Sequence, residues 1–158
     1  MKKVFILGVI CLVFWSCTTA PVPRIIVNAF PIGGSFDSVW QAVIETFAES
    51  MLPIENMEKD SGLITTGWIS FPGQTNEGDC DCGKLGMYVE QSREGKFNVF
   101  VKRIDADNQE VKITCSYQQK YYLAIDEDRQ TLTRKCLSTG NLEAKLFGLI
   151  RSKARQSR

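Results

Sequence analysis

The cysteines are the side chains of this chain best able to do chemistry. There are six among 158 residues, and no histidine accompanies them. Cys80 and Cys82 flank a single residue in a Gly-rich stretch, and Cys115 and Cys136 follow at wider intervals. Thiols so placed can pair as disulfides, exchange with other thiols, or hold a soft metal ion once deprotonated. A closed metal site of the zinc kind takes four ligands, and without histidine all four of these cysteines would be needed. Thiol oxidoreductases carry Cys-x-x-Cys at a helix N-terminus, whereas Cys80-Asp81-Cys82 is a Cys-x-Cys. An even number of cysteines in an exported chain points instead to two disulfides, with three connectivities open. A direct Cys80–Cys82 bond would close a strained small ring. We therefore expect structural disulfides, no metal and no cofactor.

Export is read from the N-terminus. Lys2 and Lys3 precede a run from Val4 to Trp15 that is almost wholly apolar, and Phe14-Trp15-Ser16-Cys17 follows. A charged start, a short apolar core and a small residue before the break make a secretory signal peptide. The run is shorter than the roughly 20 residues a membrane-spanning helix needs. A cysteine directly after the small residue adds a second meaning, because bacterial lipoproteins are cut before a cysteine whose sulfur takes a diacylglycerol. Trp15 is bulky for that motif; cleavage after Ala20 is the alternative, and Pro21 disfavours it. Residues 1–16 are thus expected to be a signal peptide, Cys17 the lipidated residue, and 17–24 a short Pro-containing tether. Cys11 leaves with the signal peptide.

Composition narrows the function. Without histidine the chain lacks the commonest general base and the commonest zinc ligand. The net charge is +1, and the signal segment carries Lys2 and Lys3 but no acid, so the remainder is at −1. A near-neutral chain has no general electrostatic footprint for nucleic acid. No nucleophile–base pair, carboxylate dyad or phosphate loop is present, and Gly33-Gly34 lacks the spacing of a dinucleotide fingerprint. A binding protein is expected rather than an enzyme.

The elements that must position the thiols follow from periodicity. Arg24 to Phe30 reads as a first strand. Phe36, Val39, Trp40, Val43, Ile44 and Phe47 then form one helical stripe, with Ser35 as N-cap and Pro53 beyond the end. The period changes to two for strands at 52–57 and 63–71, joined by a turn at Lys59-Asp60-Ser61-Gly62. Residues 72–83 read as a long loop. Shorter strands are expected at 85–90 and 97–102, a longer one at 111–125 and a last one at 131–136. Leu142, Leu146, Leu149 and Ile150 mark a final helix, after which 153–158 is a basic tail. Strands and helices segregated in this way argue for an α+β fold in one domain over 25–152. Trp40 is expected in the core; Trp40 and Trp68 together could instead line a ligand cavity. Tyr117 should face inward, with Tyr121 and Tyr122 on opposite faces. Lys145, Arg151, Lys153, Arg155 and Arg158 read as a solvated basic C-terminus.

Three segments together are familiar: Phe36-Asp37-Ser38-Val39-Trp40-Gln41-Ala42-Val43, Met51-Leu52-Pro53-Ile54 and Asp60-Ser61-Gly62-Leu63-Ile64-Thr65-Thr66. They resemble the repeated domain of BamC-type (NlpB-type) lipoproteins of the outer-membrane β-barrel assembly machinery, over roughly residues 25–71. That resemblance implies a helix-grip fold, a curved antiparallel sheet holding a long helix after the first strand, with a C-terminal helix beside it. Those proteins carry two such domains after an extended segment, so a single-domain relative is implied here. Asp81-Cys82-Gly83 and Cys136-Leu137-Ser138-Thr139-Gly140-Asn141-Leu142-Glu143 look like a signature of bacterial lipoproteins of the same sort. Carried over, that signature implies a Cys82–Cys136 bridge and leaves Cys80–Cys115 as the second; the swapped pairing stays open. The expectation is a lipid-anchored periplasmic binding or scaffold protein of the outer membrane, accessory to outer-membrane protein assembly. Its partners would be the membrane, through its lipid, and an envelope protein. A small-ligand or lipid carrier using the helix–sheet groove is the alternative.

Overall fold

The structure is a computed structural model and describes residues 18–71, 78–125 and 130–156. Cys11 and Cys17, the signal segment and Arg158 lie outside the described residues. Among the described residues, eight strands form one antiparallel sheet with two helices, a mixed α+β fold. No described helix is long and apolar enough to cross a membrane.

The sheet is built on one long hairpin. Strand β6 (Tyr88–Arg103) pairs with β7 (Asn108–Leu123) along its length. Asp105 closes the turn: its carboxylate accepts the backbone N–H groups of Asp107 and Asn108, at 2.9 and 2.8 Å. Shorter strands flank the two halves. On the β6 side, β3 (Leu63–Thr66) pairs beside Asn98–Phe100, and β4 (Ile69–Phe71) beside Arg93–Gly95. On the β7 side, β1 (Ala29–Gly33) lies against 108–112 and β8 (Leu132–Ser138) against 117–121. Outermost are β2 (Ile54–Glu58) on β3 and β5 (Cys80–Asp81) on β8.

Helix α1 (Phe36–Glu49) forms where its apolar stripe is expected, and the Ser35 hydroxyl caps it by accepting the Ser38 N–H. It ends at Glu49 with Ser50 as its C-cap; Met51 follows with a φ of 52°, the left-handed geometry common just past a helix, and Leu52 N–H donates to the Phe47 carbonyl. Its stripe lies on β6 and β7: Val39, Val43 and Phe47 are fully buried with Phe97, Val99, Val111 and Ile113. Each large apolar side chain so buried contributes about 1.5–3 kcal/mol. Helix α2 (Asn141–Gln156) packs on α1 and β7 through Leu146, Ile150 and Ala154. Both helices thus cover the sheet face that carries the odd-numbered residues of β7.

Several elements differ from the sequence reading. Strand β1 starts at Ala29 rather than Arg24 and runs through Pro31; among the described residues it pairs only with β7, and a strand with one free edge tolerates proline. The pieces at 85–90 and 97–102 are one strand, because a bulge between Glu90 and Ser92 keeps the polar stretch between them in register with β7. Gly95 lies in that stretch beneath a ring cluster: a Cβ there would stand 2.8 Å from Phe71 and 3.0 Å from Phe97. Residues 153–156 are not a tail, since α2 continues to Gln156, Ala154 is buried and Lys153 pairs with Glu49 of α1.

Candidate functional site

The sulfur chemistry gathers at the β5 edge, on the helix-covered face. Strand β5 pairs Cys80 with Ser138 and Asp81 with Leu137, and this register brings Cys82 opposite Cys136. Their Cα atoms are 4.2 Å apart and the two side chains form a disulfide. Directly opposed residues of an antiparallel ladder share a face, as do residues two apart on a strand. Cys80 therefore lies beside the bridge, its Sγ 3.9 Å from that of Cys82. All three Sγ atoms are within 4.8 Å of one another, and all three side chains are buried.

The expected second bridge, Cys80–Cys115, is not formed; both residues are free, buried thiols. Strand β8 lies between β5 and β7, so the two cysteines are separated by two strand spacings, roughly 9–10 Å. Disulfides span Cα separations up to about 7 Å. The swapped pairing fails with it, because Cys136 already bonds Cys82.

Cys115 and Tyr117 continue the same face inward on β7, Tyr117 lying opposite Cys136. Burial pushes both of their pKa values up, and the nearby Glu143 adds to the rise. The Cys80 thiol is also raised, first by burial; Arg93 pulls against the shift, and Asp79, Glu90 and Asp81 add to it. Three buried groups that resist deprotonation make a quiet site at neutral pH rather than an activated nucleophile.

Helix α2 begins directly over this corner. Glu143, on its first turn, is 1% exposed and accepts hydrogen bonds from the Ser138 hydroxyl at both carboxylate oxygens, 2.7 and 2.9 Å. Ser138 in turn accepts the Gly140 N–H, and Thr139 and Asn141 donate to the Gly78 carbonyl. The other flank is ionic. Gln119 donates to Glu90, which holds Arg93, and Arg134 donates to Gln119 and to the carbonyls of Gly83 and Lys84.

Asp81 points the opposite way from its two cysteine neighbours and holds the segment around Val22. Its carboxylate accepts the N–H groups of Gly83 at 2.8 Å and Val22 at 3.1 Å, which together hold its pKa below the ordinary value. Thr19 and Lys84 exchange backbone hydrogen bonds at 3.3 and 3.2 Å. Gly83 has a φ of 68°, and a Cβ on it would come within 2.0 Å of the Thr19 carbonyl oxygen. The segment 18–24, expected as a tether, is thus docked along the Cys82 corner at Thr19 and Val22, through backbone groups that its prolines leave free.

Other residues singled out by sequence scatter. Trp40 is in the core, whereas Trp68 is 48% exposed, so the two line no common cavity. Tyr117 is buried; Tyr121 packs edge-on to Tyr88 with Arg134 over its ring. Arg151 lies over the Phe147 ring. Sequence reasoning assigned 72–83 to a loop and so missed that Cys80-Asp81-Cys82 is an i, i+2 strand pattern. That spacing was the available signal: it puts two thiols on one face and Asp81 on the other. Arg93, Gln119 and Arg134 carried no signal, because strand-borne polar residues read as solvent-facing. No family model matches the chain, and no curated protein matches it in sequence.

Proposed function

We propose that this protein is a lipid-anchored binding or scaffold protein of the bacterial envelope that presents the uncovered face of its sheet to a partner, as an accessory of outer-membrane protein assembly. The observation that carries this reading is the asymmetry of the sheet. Its inner face is filled by Val39, Val43, Phe47, Phe97, Ile113 and Ile150, all at 0% exposure. Among the described residues the outer face has no helix on it, and Lys112, Thr114 and Ser116 are exposed along its centre. Phe100 and Trp68 are also exposed, and Trp68 borders an open groove with Ser116, Gln118, Lys135 and Leu137. Isolated aromatics set among polar side chains are what protein-binding faces offer. A carrier would need the helix–sheet space that these core residues occupy. The helix-grip description belongs to the same proposal and rests on α1 lying across β6 and β7 immediately after β1.

The docking of Thr19 and Val22 adds an orientation. Thr19 is fixed beside Lys84, and Cys17 is two residues earlier. An acyl chain on Cys17 would hold this corner within about 7 Å of chain length of the membrane surface. Lys84, Arg24 and Arg134 lie in the same region, Arg24 and Arg134 acting on Asp81.

Two measurements test the reading. Incorporation of labelled palmitate that disappears in Cys17→Ala supports the anchor; equal incorporation without Cys17 removes it. Crosslinking of the full-length protein in its own membranes should recover envelope assembly components, and Trp68→Asp with Phe100→Asp should lose them. A monomer that yields only a bound lipid would overturn the scaffold reading and restore the carrier.

A further inference from the structure

The fold uses Cys82 and Cys136 as a bridge, and Cys80 stands beside them as a third sulfur that the bridge does not need. The separations say what a third sulfur could do. Two thiolates bound to one ion at about 2.3 Å stand roughly 3.8 Å apart at a tetrahedral angle and roughly 4.0 Å apart at a trigonal one. Cys80 and Cys82 are already 3.9 Å apart. A thiol poised to attack the disulfide would be arranged differently, because displacement runs along the S–S axis. An in-line approach to Cys82 would set Cys80 about 2 Å further from Cys136, at roughly 6 Å. The Sγ atoms lie within 4.8 Å of one another, so they form a triangle and not a line.

The geometry points to a three-thiolate site for a soft monovalent cation of the copper(I) class, made by Cys80, Cys82 and Cys136 once the Cys82–Cys136 disulfide is reduced. Reduction by a dithiol delivers two electrons and two protons to the two sulfurs, and the dithiol becomes a disulfide. Each of the three thiols then loses its proton to solvent as its sulfur bonds the ion, which keeps its oxidation state. The β5–β8 ladder fixes the backbone on both sides, so the sulfurs need only side-chain rotation to part to ligand distance. The donor set chooses the ion. Among the described residues these three donor atoms come together, and all are sulfur. Thiolates select soft ions. A closed zinc site takes four ligands. Arg93 is the cation that acts on Cys80, against the carboxylates of Asp79, Glu90 and Asp81, so it offsets only part of the negative charge at the site. Disulfide and metal are mutually exclusive states of the same sulfurs, which makes the site responsive to the redox conditions around it.

The test is a competition for copper(I) with a coloured bidentate chelator, using full-length protein before and after reduction by a phosphine. The reduced protein should withdraw one copper ion per chain, and the unreduced protein none. Cys80→Ser, which keeps the disulfide and so folds before reduction, should bind roughly tenfold or more weakly. Cys115→Ser, two strands from Cys80, should bind as the parent does. X-ray absorption should find three sulfurs on the copper of the parent and two in Cys80→Ser. No uptake by the reduced protein, equal affinity in Cys80→Ser, loss in Cys115→Ser, or displacement of the copper by equimolar zinc would each overturn the assignment.

Discussion

Removing the Cys82–Cys136 bridge should cost the domain about 4 kcal/mol. The bond joins residues 54 apart in sequence. Closing a loop of that length in the unfolded chain removes roughly 14 cal/mol/K of entropy, which at 25 °C is about 4 kcal/mol. Both sulfurs are buried, at 5% and 7% exposure, so the double variant Cys82→Ala/Cys136→Ala also loses a little packing. The double variant is the right perturbation, because a single one would leave Cys80 next to a newly freed thiol. For a domain of this size the loss corresponds to a fall in Tm of very roughly 12–20 °C. Urea unfolding of the parent, the double variant and Cys80→Ser, compared at constant m-value, measures it. Cys80→Ser should keep most of its stability, since its bridge is intact. A double variant within about 1 kcal/mol of the parent, or a Cys80→Ser that loses as much, would refute the reasoning; the first would mean that the β5–β8 corner keeps its ends together without the bond. Domains of this kind are stable by about 5–15 kcal/mol, so the reduced protein should remain folded, as copper binding requires.

Further outcomes follow from the same geometry. In Gly95→Ala the new methyl meets Phe71, Phe97 and Tyr117 at 2.8, 3.0 and 3.3 Å, and overpacking should destabilise by about 1–3 kcal/mol, read from the urea midpoint. Cys80 and Cys115 should resist alkylation in the folded protein at neutral pH and react once it is unfolded, because burial raises both; rapid native labelling of Cys80 would contradict this. The Asp81 pKa is lowered in the folded state, so its hold on Val22 is complete above the unfolded value of 3.8 and is lost as pH falls through the lower folded value. Protection of the Val22 and Gly83 amides, measured against their intrinsic exchange rates at each pH, should therefore fall below about pH 4 while protection in β6 and β7 is kept.

Much of this architecture is written in local pattern. The stripe from Phe36 to Phe47 can bury its side chains only as a helix, and Ser35 and Pro53 mark its limits through capping and lost N–H donation. Gly62 was legible as a turn, and the structure adds the reason no other residue fits: its φ is 74°, and a Cβ would stand 2.2 Å from the Val101 carbonyl oxygen. Alternation along Val111, Ile113, Cys115 and Tyr117 was enough to send Tyr117 inward. The cysteines show where local pattern stops. Spacing left three connectivities open, and the pairing depends on which strands become neighbours. By inserting β8 between β5 and β7, the sheet order bonds Cys82 to Cys136, keeps Cys115 out of reach of Cys80, and leaves Cys80 against the bridge. The docking of 18–24 on Asp81 and Lys84 was equally hidden, because a hydrogen bond across 59 residues has no local signature. Periodicity reports which face a side chain takes within its own element; only strand order and register report what stands opposite it, and the chemistry of this protein lies in what stands opposite.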